Sequence, residues 1–537
     1  MFWGDKIISE IEGAYKEKIN SGEPLILRDE KTMSGRVHVG SMRSVALHGT
    51  LSQILNEKKI AHRFLYEIND FDVMDGLPIY LDQEKYKPYM GRLLSEVPSP
   101  DGIAKNFAEY FGGEFVKVIE DAGYTPEFYR SSDIYKSGKY NEVIKVALLD
   151  AAKIREIYKK LSGAEKADDW LPLSVVCENC RKIGTTKAFS FDGSLVSYTC
   201  GKNYVAWAEG CGHQGKISPF DGNAKLPWKV EWAAKFAIFN VDIEGAGKDH
   251  YTKGGAREIA NAICREVFKR PSPYDVPHEF ILVGGKKMSS SKGQGSSAKE
   301  VSDLLPTQIF RLLLIHKDIK RAIDFIPDGD TIPILYDAYD TYAQKYWEGV
   351  VDDDSRGFFL AHPNNLSNLL EKRFLPRFSQ ISFIVQMKHL DTKEEVARIK
   401  GEALSQSDIK ELEERASYAK HWLDSYAPEE YKYEIKKDLP KETLNFSEIQ
   451  KEALGKLLKF IKENAPNGQT IHTHLHEIRK GLNIEPKDFF SAIYISFLGK
   501  ESGPKAGWFL SVLDRELLVS RLEEVAGPVR KDVFKKA

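Results

Sequence analysis

The sequence predicts an α/β fold in which a parallel-sheet domain with insertions is followed by an all-α C-terminal domain. Three observations support this prediction. Strand patterns alternate with helical patterns at the start of the chain, strand patterns return near residue 235, and only helical periodicity remains after about residue 345. A chain of 537 residues has room for three or four domains of roughly 150 residues each.

The composition is that of a folded protein. Hydrophobic residues make up 42% and charged residues 29% of the chain, which excludes the profile of intrinsic disorder. The formal net charge is -2, so a nucleic-acid partner would be held by local Lys/Arg patches and not by an overall positive field. No apolar run reaches the ~18 residues of a membrane span, and the start lacks the pattern of a signal peptide. We therefore expect a cytoplasmic protein that does not enter a membrane.

The first strand, turn and helix follow one another directly. Pro24–Leu27 is an apolar run, the stretch from Arg28 to Gly40 is polar and contains glycine, and Met42 to Leu55 has helical spacing. Ala61–Ile68 is the second predicted strand, and an acidic cluster follows it. The cluster consists of Asp70, Asp72 and Asp75. Strand, helix and strand in this order imply a parallel sheet, whose ligands lie at the carboxyl ends of the strands.

The middle of the chain is predicted to be inserted into this sheet. Residues 100–165 have helical patterns, and the sheet is expected to resume with Lys235–Asn240 and Glu279–Val283. The predicted divisions are 1–84 for the first half of the sheet domain, 85–168 for a helical insertion, 169–218 for a metal-binding insertion, 219–285 for the second half of the sheet domain, 286–345 for a lysine- and serine-rich loop with a connecting domain, and 346–537 for the α-helical domain.

Four of the five cysteines lie close together in the sequence. They are Cys177, Cys180, Cys200 and Cys211. In a reducing compartment this spacing favours a metal site over disulfides, and four thiolates predict a tetrahedral, structural Zn²⁺ site. Ten residues separate the last two cysteines, more than is usual, so His213 remains an alternative ligand. No second metal site is expected in residues 85–112, which contain no His or Cys.

Two loops have the composition of a phosphate-binding site. In Thr32–Ser41, glycines let the backbone approach a phosphate, the following helix offers free N–H groups, and His38 can donate to an oxyanion. In Gly284–Gly293, lysines and serines can close over a polyphosphate and meet the charge on a leaving pyrophosphate. Taken singly, the first loop also fits a structural histidine and the second a solvated linker.

Together the two loops resemble the signature of class I aminoacyl-tRNA synthetases, a His-x-Gly turn at the first strand and a Lys-Met-Ser-x-Ser loop about 250 residues later. Within that class, the chain is similar to the archaeal-type class I lysyl-tRNA synthetases from about residue 20 to its C-terminus. The matching segments are Lys-Met-Ser-Ser-Ser-Lys-Gly at 287–293, Trp228–Trp232, Gly247–His250 with Gly254 and Gly255, and Leu498–Pro504.

The resemblance implies a Rossmann-like catalytic domain with helical and zinc-ribbon insertions, and a helical C-terminal domain that reads the anticodon. It implies a ligase that joins L-lysine to tRNA(Lys) through lysyl-adenylate, with ATP as a substrate, Mg²⁺ on its phosphates and a structural Zn²⁺. We expect a monomer. The implied catalytic residues are His38, Ser41, Lys287 and Lys292. The implied ATP-binding residues are Gly35, His38, Gly40, Ser41, Lys287, Met288, Ser289, Ser290 and Ser291.

For the lysine pocket, the resemblance implies Thr32, Trp228 and His250, with Asp249 beside them. The chain departs from its relatives at Glu30, where a glycine is expected. An ammonium group that loses its hydration needs hydrogen bonds and preferably a carboxylate, and Glu30 is predicted to supply it. The alternatives are Glu67, Asp70, Asp249, or a Glu30 side chain that points to solvent.

Two other functions remain open at this point. The turn His38–Ser44 also resembles that of arginyl-tRNA synthetases, so a class I synthetase for arginine or glutamate is an alternative. A synthetase-derived RNA-binding protein without catalysis would be expected to have a damaged signature, whereas His38 and Lys287 are both present.

Overall fold

A computed structural model describes residues 1–285, 296–363, 370–387 and 389–526. The chain forms two compact units. The first comprises Met1–Ile326 and Thr341–Lys372, and the second comprises Pro327–Asp340 together with the chain from Arg373 onward.

The strands are β1 (Leu25–Thr32), β2 (His62–Asn69), β3 (Glu127–Arg130), β4 (Ser174–Val175), β5 (Thr186–Phe191), β6 (Val196–Cys200), β7 (Gln214–Ile217), β8 (Ala224–Lys225), β9 (Ile243–Gly247), β10 (Tyr274–His278), β11 (Ile281–Val283) and β12 (Ile323–Phe325). The α-helices are α1 (Trp3–Ala14), α2 (Lys16–Asn20), α3 (Met42–Glu57), α4 (Gln83–Tyr86), α5 (Phe107–Asp121), α6 (Ser131–Lys136), α7 (Asn141–Leu149), α8 (Ala151–Ser162), α9 (Trp228–Phe239), α10 (Ala256–Glu266), α11 (Ala298–Asp303), α12 (Thr307–Ile315), α13 (Thr331–Trp347), α14 (Asp353–Leu360), α15 (Phe378–Ile384), α16 (Thr392–Lys400), α17 (Gln406–Ser425), α18 (Glu448–Glu463), α19 (Gly468–Leu482), α20 (Pro486–Leu498), α21 (Ala506–Ser511) and α22 (Arg515–Ala526).

Five parallel strands form the central sheet of the first unit, in the order β3-β2-β1-β9-β10. β1 pairs with β2 along its full length, from Leu25 opposite His62 to Thr32 opposite Asn69. Both strands contain near-continuous buried runs, as expected for a parallel sheet that is covered on both faces. The strand order is that of a Rossmann fold, so the predicted fold class is confirmed.

Lys235–Asn240, predicted as a strand, is instead the end of helix α9 and its cap. This prediction was wrong because a short apolar run does not distinguish a strand from a buried helix. Every residue from Val230 to Phe236 is buried, so α9 has no one-sided periodicity that would identify it. The sheet resumes further along the chain, with β9 and β10.

Two other segments differ from the predicted organisation. Glu279–Val283, expected to continue the sheet, contributes β11, which pairs with β12 in a separate two-stranded sheet. Residues 85–168, predicted as a helical insertion, contain β3, which extends the central sheet beside β2. β3 has four residues and none of them is fully buried, so no apolar run indicates it.

Between β3 and β9 the chain leaves the sheet. It forms helices α6 to α9 and two small antiparallel sheets, β5-β6-β7 and β4-β8. The four clustered cysteines lie on or next to these small sheets.

The second unit is helical in its described residues. Helix α18 has an apolar face, with Ala453, Leu454, Leu457 and Ile461 buried, as the helical periodicity after residue 345 predicts. None of the described helices is both long enough and apolar enough to cross a membrane.

Candidate active site and metal centre

In the central sheet, β2 and β3 lie on one side of β1, and β9 and β10 lie on the other. The carboxyl ends of β1 and β9 therefore form the switch point of the sheet. Ligands of Rossmann folds bind in the crevice at this point. β1 ends at Thr32, and β9 ends at Gly247, just before the 3₁₀ helix Lys248–Tyr251. The structure therefore brings the predicted residues Thr32, Asp249 and His250 to one crevice.

The turn after β1 carries four of the predicted ATP-binding residues, Gly35, His38, Gly40 and Ser41. Gly35 has a φ of 152°, which L side chains rarely adopt. His38 directly precedes a 3₁₀ helix, Val39–Ser41, which includes Gly40 and leads into α3. The start of a helix at the carboxyl edge of the sheet is a favourable place for a phosphate.

The chain that follows the predicted Lys-Met-Ser loop is hydrogen-bonded to this turn. The Val39 N–H donates to the Ser296 carbonyl (3.1 Å), and the Ala298 N–H donates to the Val37 carbonyl (2.8 Å). The loop itself, residues 286–295, lies outside the described residues, and so do its predicted site residues. These are Lys287, Met288, Ser289, Ser290, Ser291 and Lys292.

Trp228 and His250 lie together with Trp232, which the sequence analysis had not assigned. Trp228 is the first residue of α9, and Trp232 lies one turn later. The two indole rings are 5.9 Å apart between centroids, and each is 5.5 Å from the His250 imidazole. The Trp232 indole N–H donates to Glu244, which fixes this ring. Trp228 is 49% exposed, so its ring offers an open face to a ligand.

The loop that carries His250 depends on Gly255. A Cβ built on Gly255 would lie 2.5 Å from the Thr252 carbonyl oxygen and 2.8 Å from the His250 carbonyl oxygen. Any larger residue at this position would displace the loop. Asp249 lies in the same loop, with its Oδ1 3.9 Å from His250 Nε2.

Asp72, which belongs to the acidic cluster after β2, contacts the predicted pocket residue Thr32. Its Oδ2 accepts hydrogen bonds from the Thr32 hydroxyl (2.5 Å) and the Asn69 side-chain amide (3.0 Å), and its Oδ1 lies 3.2 Å from the Lys225 ammonium. Its side chain is 28% exposed beside Thr32. The sequence signal was its position just after β2, because neighbouring parallel strands end at the same edge.

Glu30 is partly exposed, by 21%, and two buried cations bind its carboxylate. Its Oε2 lies 2.5 Å from the Lys235 ammonium and also accepts from the Arg28 guanidinium. Lys235 and Arg28 in turn bind Glu67, at 2.8 and 2.6 Å. We define the buried ion cluster as Arg28, Glu30, Glu67, Glu231, Lys235 and Glu244. Burial by itself raises the pKa of Glu67, but Lys235 and Arg28 hold that pKa below its ordinary value.

The four predicted cysteine ligands converge in space. The sulfurs of Cys177, Cys180, Cys200 and Cys211 all lie within 4.8 Å of one another. Two of the sulfur pairs are 3.6 and 3.7 Å apart. Zn–S bonds of about 2.3 Å set the sulfurs of a tetrahedral site about 3.8 Å apart, so the cysteines fit such an ion. His213 Nε2 lies 4.0 Å from Glu178 Oε2. The sulfurs of the four cysteines converge without a contribution from His213.

Comparison with known proteins identifies two matching family models and several relatives. The family model described as tRNA synthetases class I (K) matches residues 1–362, and the model described as Anticodon binding domain matches residues 372–526. The lysine–tRNA ligase of Methanosarcina barkeri is 33% identical over 92% of this chain and 93% of its own length. The lysine–tRNA ligase of Thermoplasma volcanium is 30% identical over 98% of this chain and 99% of its own length.

Among solved structures, a glutamate tRNA ligase from Elizabethkingia meningosepticum covers 94% of this chain and 99% of its own, at 11% identity and a TM-score of 0.40. The first family model covers more than half of the chain, and it is the model of the family predicted from the sequence. The chain therefore belongs to the class I tRNA synthetase family that is described as tRNA synthetases class I (K).

Proposed function

We propose that the protein ligates L-lysine to tRNA(Lys) in two steps, the formation of lysyl-adenylate from lysine and ATP and the transfer of the lysyl group to the tRNA 3′ end. The observation that carries this proposal is the hydrogen-bonded contact between the His38 turn and the chain that follows the Lys-Met-Ser loop, at the switch point of a Rossmann sheet. This contact supports the proposal that both phosphate-binding sequences serve one site. The lysine–tRNA ligases among the relatives support lysine as the amino acid.

In this proposal the His38 turn and the loop hold ATP. Gly40 and Ser41 let the backbone and the helix start approach the phosphates, while His38 donates to the α-phosphate oxygen on which charge develops. Lys287 and Lys292 meet the charge on the departing pyrophosphate. Mg²⁺, when bound to ATP, supplies further positive charge at the phosphates.

The substrate lysine lies between Asp72 and the open ring of Trp228. The Thr32 hydroxyl already donates to Asp72, so its oxygen is left to accept from the substrate ammonium. Asp72 supplies a negative charge that compensates the substrate ammonium for the water it loses on binding. The Trp228 ring covers the methylenes of the substrate side chain or faces its ammonium group. We assign the carboxylate to Asp72 and not to Glu30, because two buried cations bind the Glu30 carboxylate, whereas Asp72 contacts Thr32 directly and has one cation partner, Lys225, at 3.2 Å.

Aminoacylation of total tRNA with lysine, arginine or glutamate tests the proposal. We expect lysine to be attached and the other two to be left free. Preferential attachment of arginine or glutamate would reassign the amino acid, and the absence of both adenylate formation and charging would indicate a non-catalytic RNA-binding protein.

Asp72→Asn and Trp228→Ala are each expected to raise the KM for lysine on the order of 10-fold or more, with little change in the KM for ATP. Asp72 loses a charge-assisted contact, and Trp228 loses the surface that covers the side chain. Steady-state aminoacylation measures both constants. Asp75→Asn is the matched control, because Asp75 belongs to the same acidic cluster but is exposed. An equal rise in both KM values would indicate general damage and refute the assignment.

Inhibition by two lysine analogues tests whether the pocket recognises the ammonium group of the substrate. S-(2-aminoethyl)-cysteine keeps the ammonium group, and norleucine lacks it. The wild type should be inhibited far better by the first compound, and Asp72→Asn should lose most of this preference. Equal inhibition of the wild type by both compounds would undermine the choice of lysine itself.

The four cysteines are proposed to hold a structural Zn²⁺. All four positions of a tetrahedral ion are then taken by the protein, so no position is left for catalysis. The cysteines would hold the ion between the Cys177–Cys180 turn, the end of β6 and the turn before β7, where it would stabilise the insertion.

Cys177→Ser is expected to release the metal and to destabilise β5 to β7 more than the central sheet, because the binding energy of a structural site is folding energy. Metal analysis and amide hydrogen exchange measure the two effects. Cys264→Ser is the control, since Cys264 is a buried cysteine outside the cluster, and it should retain one zinc per chain. A freshly purified wild type without zinc would rule out the assignment.

The helical second unit is proposed to read the anticodon. The Anticodon binding domain model matches this part of the chain. Lys and Arg side chains would contact the phosphates, and aromatic rings would stack on unpaired anticodon bases. A role in protein synthesis fits the predicted cytoplasmic location, and the predicted monomer can be checked by light scattering.

A further inference from the structure

Lys225 is a buried lysine that lies against the carboxylate of the proposed lysine pocket. Its ammonium is 3.2 Å from Asp72 Oδ1. Asp72 Oδ2 already accepts hydrogen bonds from the Thr32 hydroxyl (2.5 Å) and the Asn69 side-chain amide (3.0 Å). Each oxygen of the Asp72 carboxylate therefore faces a donor of the protein before any substrate binds.

The Lys225 ammonium is fixed from its other side as well. It contacts the buried Glu231 carboxylate, which also accepts a hydrogen bond from the Tyr135 hydroxyl (2.7 Å). The same ammonium lies 5.6 Å from the centre of the Tyr135 ring, and that ring is fully buried. Lys225 cannot turn away from Asp72 without weakening the pairing of a buried carboxylate, which is costly.

Lys225 leaves negative charge on Asp72, because its own charge is shared between two carboxylates. Glu231 belongs to the buried ion cluster, and Arg257 contacts the same cluster through Glu244. When Asp72, Lys225 and Arg257 are added to the cluster, five carboxylates face four cations along these contacts. A substrate cation at Asp72 would offset this excess of negative charge.

The ion pair also joins two segments that form the pocket. Asp72 follows β2, whereas Lys225 ends β8, three residues before Trp228. The open Trp228 ring is the surface proposed to cover the methylenes of the substrate. A change at Lys225 that only displaced this segment would therefore affect every amino acid that enters the pocket.

We infer that Lys225 determines the preference for lysine over arginine, because it denies a guanidinium access to both oxygens of Asp72. A guanidinium binds a carboxylate best through a planar fork that uses both oxygens, whereas an ammonium is a compact charge that needs only one. Lys225 repels a second cationic nitrogen at Oδ1, so the open approach is the side of Oδ2 and Thr32. An ammonium can use this approach, but a guanidinium cannot form its fork there. This inference rests on the proposed function, because it takes the Asp72 crevice as the amino-acid pocket.

Inhibition of lysine attachment by L-arginine tests the inference in the full chain. Lys225→Met removes the charge and keeps a long, unbranched side chain. We expect the Ki of arginine to fall about tenfold or more, because the guanidinium gains a charged hydrogen bond at Oδ1. The KM for lysine should change much less, and the KM for ATP should stay the same. Lys225→Arg keeps a cation beside Asp72, so it should retain the wild-type ratio of the arginine Ki to the lysine KM.

Lys229→Met is the matched control, because it makes the same chemical change in the same segment, where the Lys229 ammonium lies 5.7 Å from the centre of the Tyr158 ring. It is expected to leave both constants unchanged. The double variant Lys225→Met with Glu231→Gln also removes the buried carboxylate that loses its cation. It should show the same fall in the arginine Ki, and it serves as the test if the single variant does not fold by circular dichroism.

The inference is wrong if the folded variant keeps the wild-type ratio of the arginine Ki to the lysine KM. It is also wrong if both constants change by the same factor, because that result would indicate a general disturbance of the pocket. Its failure is separable from failure of the proposed function. A wild type that charges lysine, with an unchanged ratio in Lys225→Met, overturns only this inference. A wild type that does not charge lysine overturns the proposed function and, with it, the pocket on which this inference rests.

Discussion

Lys235→Met is expected to destabilise the first unit by about 3 to 5 kcal/mol, because it removes one of the two buried cations that balance the carboxylates of Glu30 and Glu67. The Lys235 side chain is 1% exposed. Its ammonium lies 2.5 Å from Glu30, 2.8 Å from Glu67 and 3.6 Å from Glu231. Methionine is also long and unbranched, so the loss reports mainly the missing charge and not a cavity.

Urea unfolding, with amide hydrogen exchange in β1 and β2 as the local measurement, checks this expectation. A local measurement is needed because a chain of two units need not unfold in a single step. Lys117→Met is the matched control: Lys117 pairs with Asp121 at the surface, where such a pair contributes at most about 1 kcal/mol. Adding Glu67→Gln to Lys235→Met should recover part of the loss, because it removes one uncompensated charge. Equal effects of the two lysine variants would contradict the role of the buried ion cluster.

The buried ion cluster also predicts how the destabilisation caused by Lys235→Met depends on pH. Burial raises the pKa of Glu30, but Lys235 and then Arg28 lower it well below its ordinary value of 4.5. A pKa that is lowered in the folded state contributes stability above the ordinary value, and this contribution is lost as the pH falls through the folded-state pKa. In Lys235→Met the carboxylates lack this cation and gain protons more easily. The difference in stability between the wild type and Lys235→Met should therefore narrow below about pH 4.5.

The position of the site could be predicted because its motifs follow strands that have clear patterns. The second strand, predicted as Ala61–Ile68, is observed as His62–Asn69. Thr32 and the His38 turn come directly after the first strand, and a parallel sheet gathers such residues at its carboxyl edge. Local apolar periodicity and the rules of sheet topology were sufficient for this part.

The contacts that could not be predicted are those between residues that are distant in the sequence. Glu30 was expected in the lysine pocket or in solvent, but it binds Lys235, 205 residues further along the chain. Nothing in the sequence around Glu30 indicates that partner. The helix that carries Lys235 was itself mistaken for a strand, because it is buried on all sides. The same limit applies to Asp72, whose hydrogen bond with Thr32 depends on the pairing of β1 with β2.

His38→Ala is expected to slow lysyl-adenylate formation on the order of 10²-fold or more, while the protein remains folded. When the lysine carboxylate attacks the α-phosphate, negative charge grows on the phosphate oxygens, and removing one well-placed donor to such an oxygen typically costs this much. His38 directly precedes the short helix at the carboxyl edge of β1, next to the chain that follows the Lys-Met-Ser loop. Lys287→Ala is expected to cause a loss of similar size by removing charge at the departing pyrophosphate. Rapid-quench measurement of lysyl-adenylate in the presence of tRNA gives the rates.

His62→Ala is the matched control for this effect, because it makes the same chemical change at the amino end of β2, where His62 Nε2 contacts the Ser52 hydroxyl at 2.8 Å. It should retain the wild-type rate of adenylate formation. His38→Asn keeps a side-chain N–H donor at the same position, so it should recover part of the rate that alanine loses. This recovery separates a contact with the reacting phosphate from a merely structural role, since a structural defect would not depend on a donor. A wild-type rate in His38→Ala would show that the turn does not touch the reacting phosphate, and the assignment of the ATP site to this crevice would then fail.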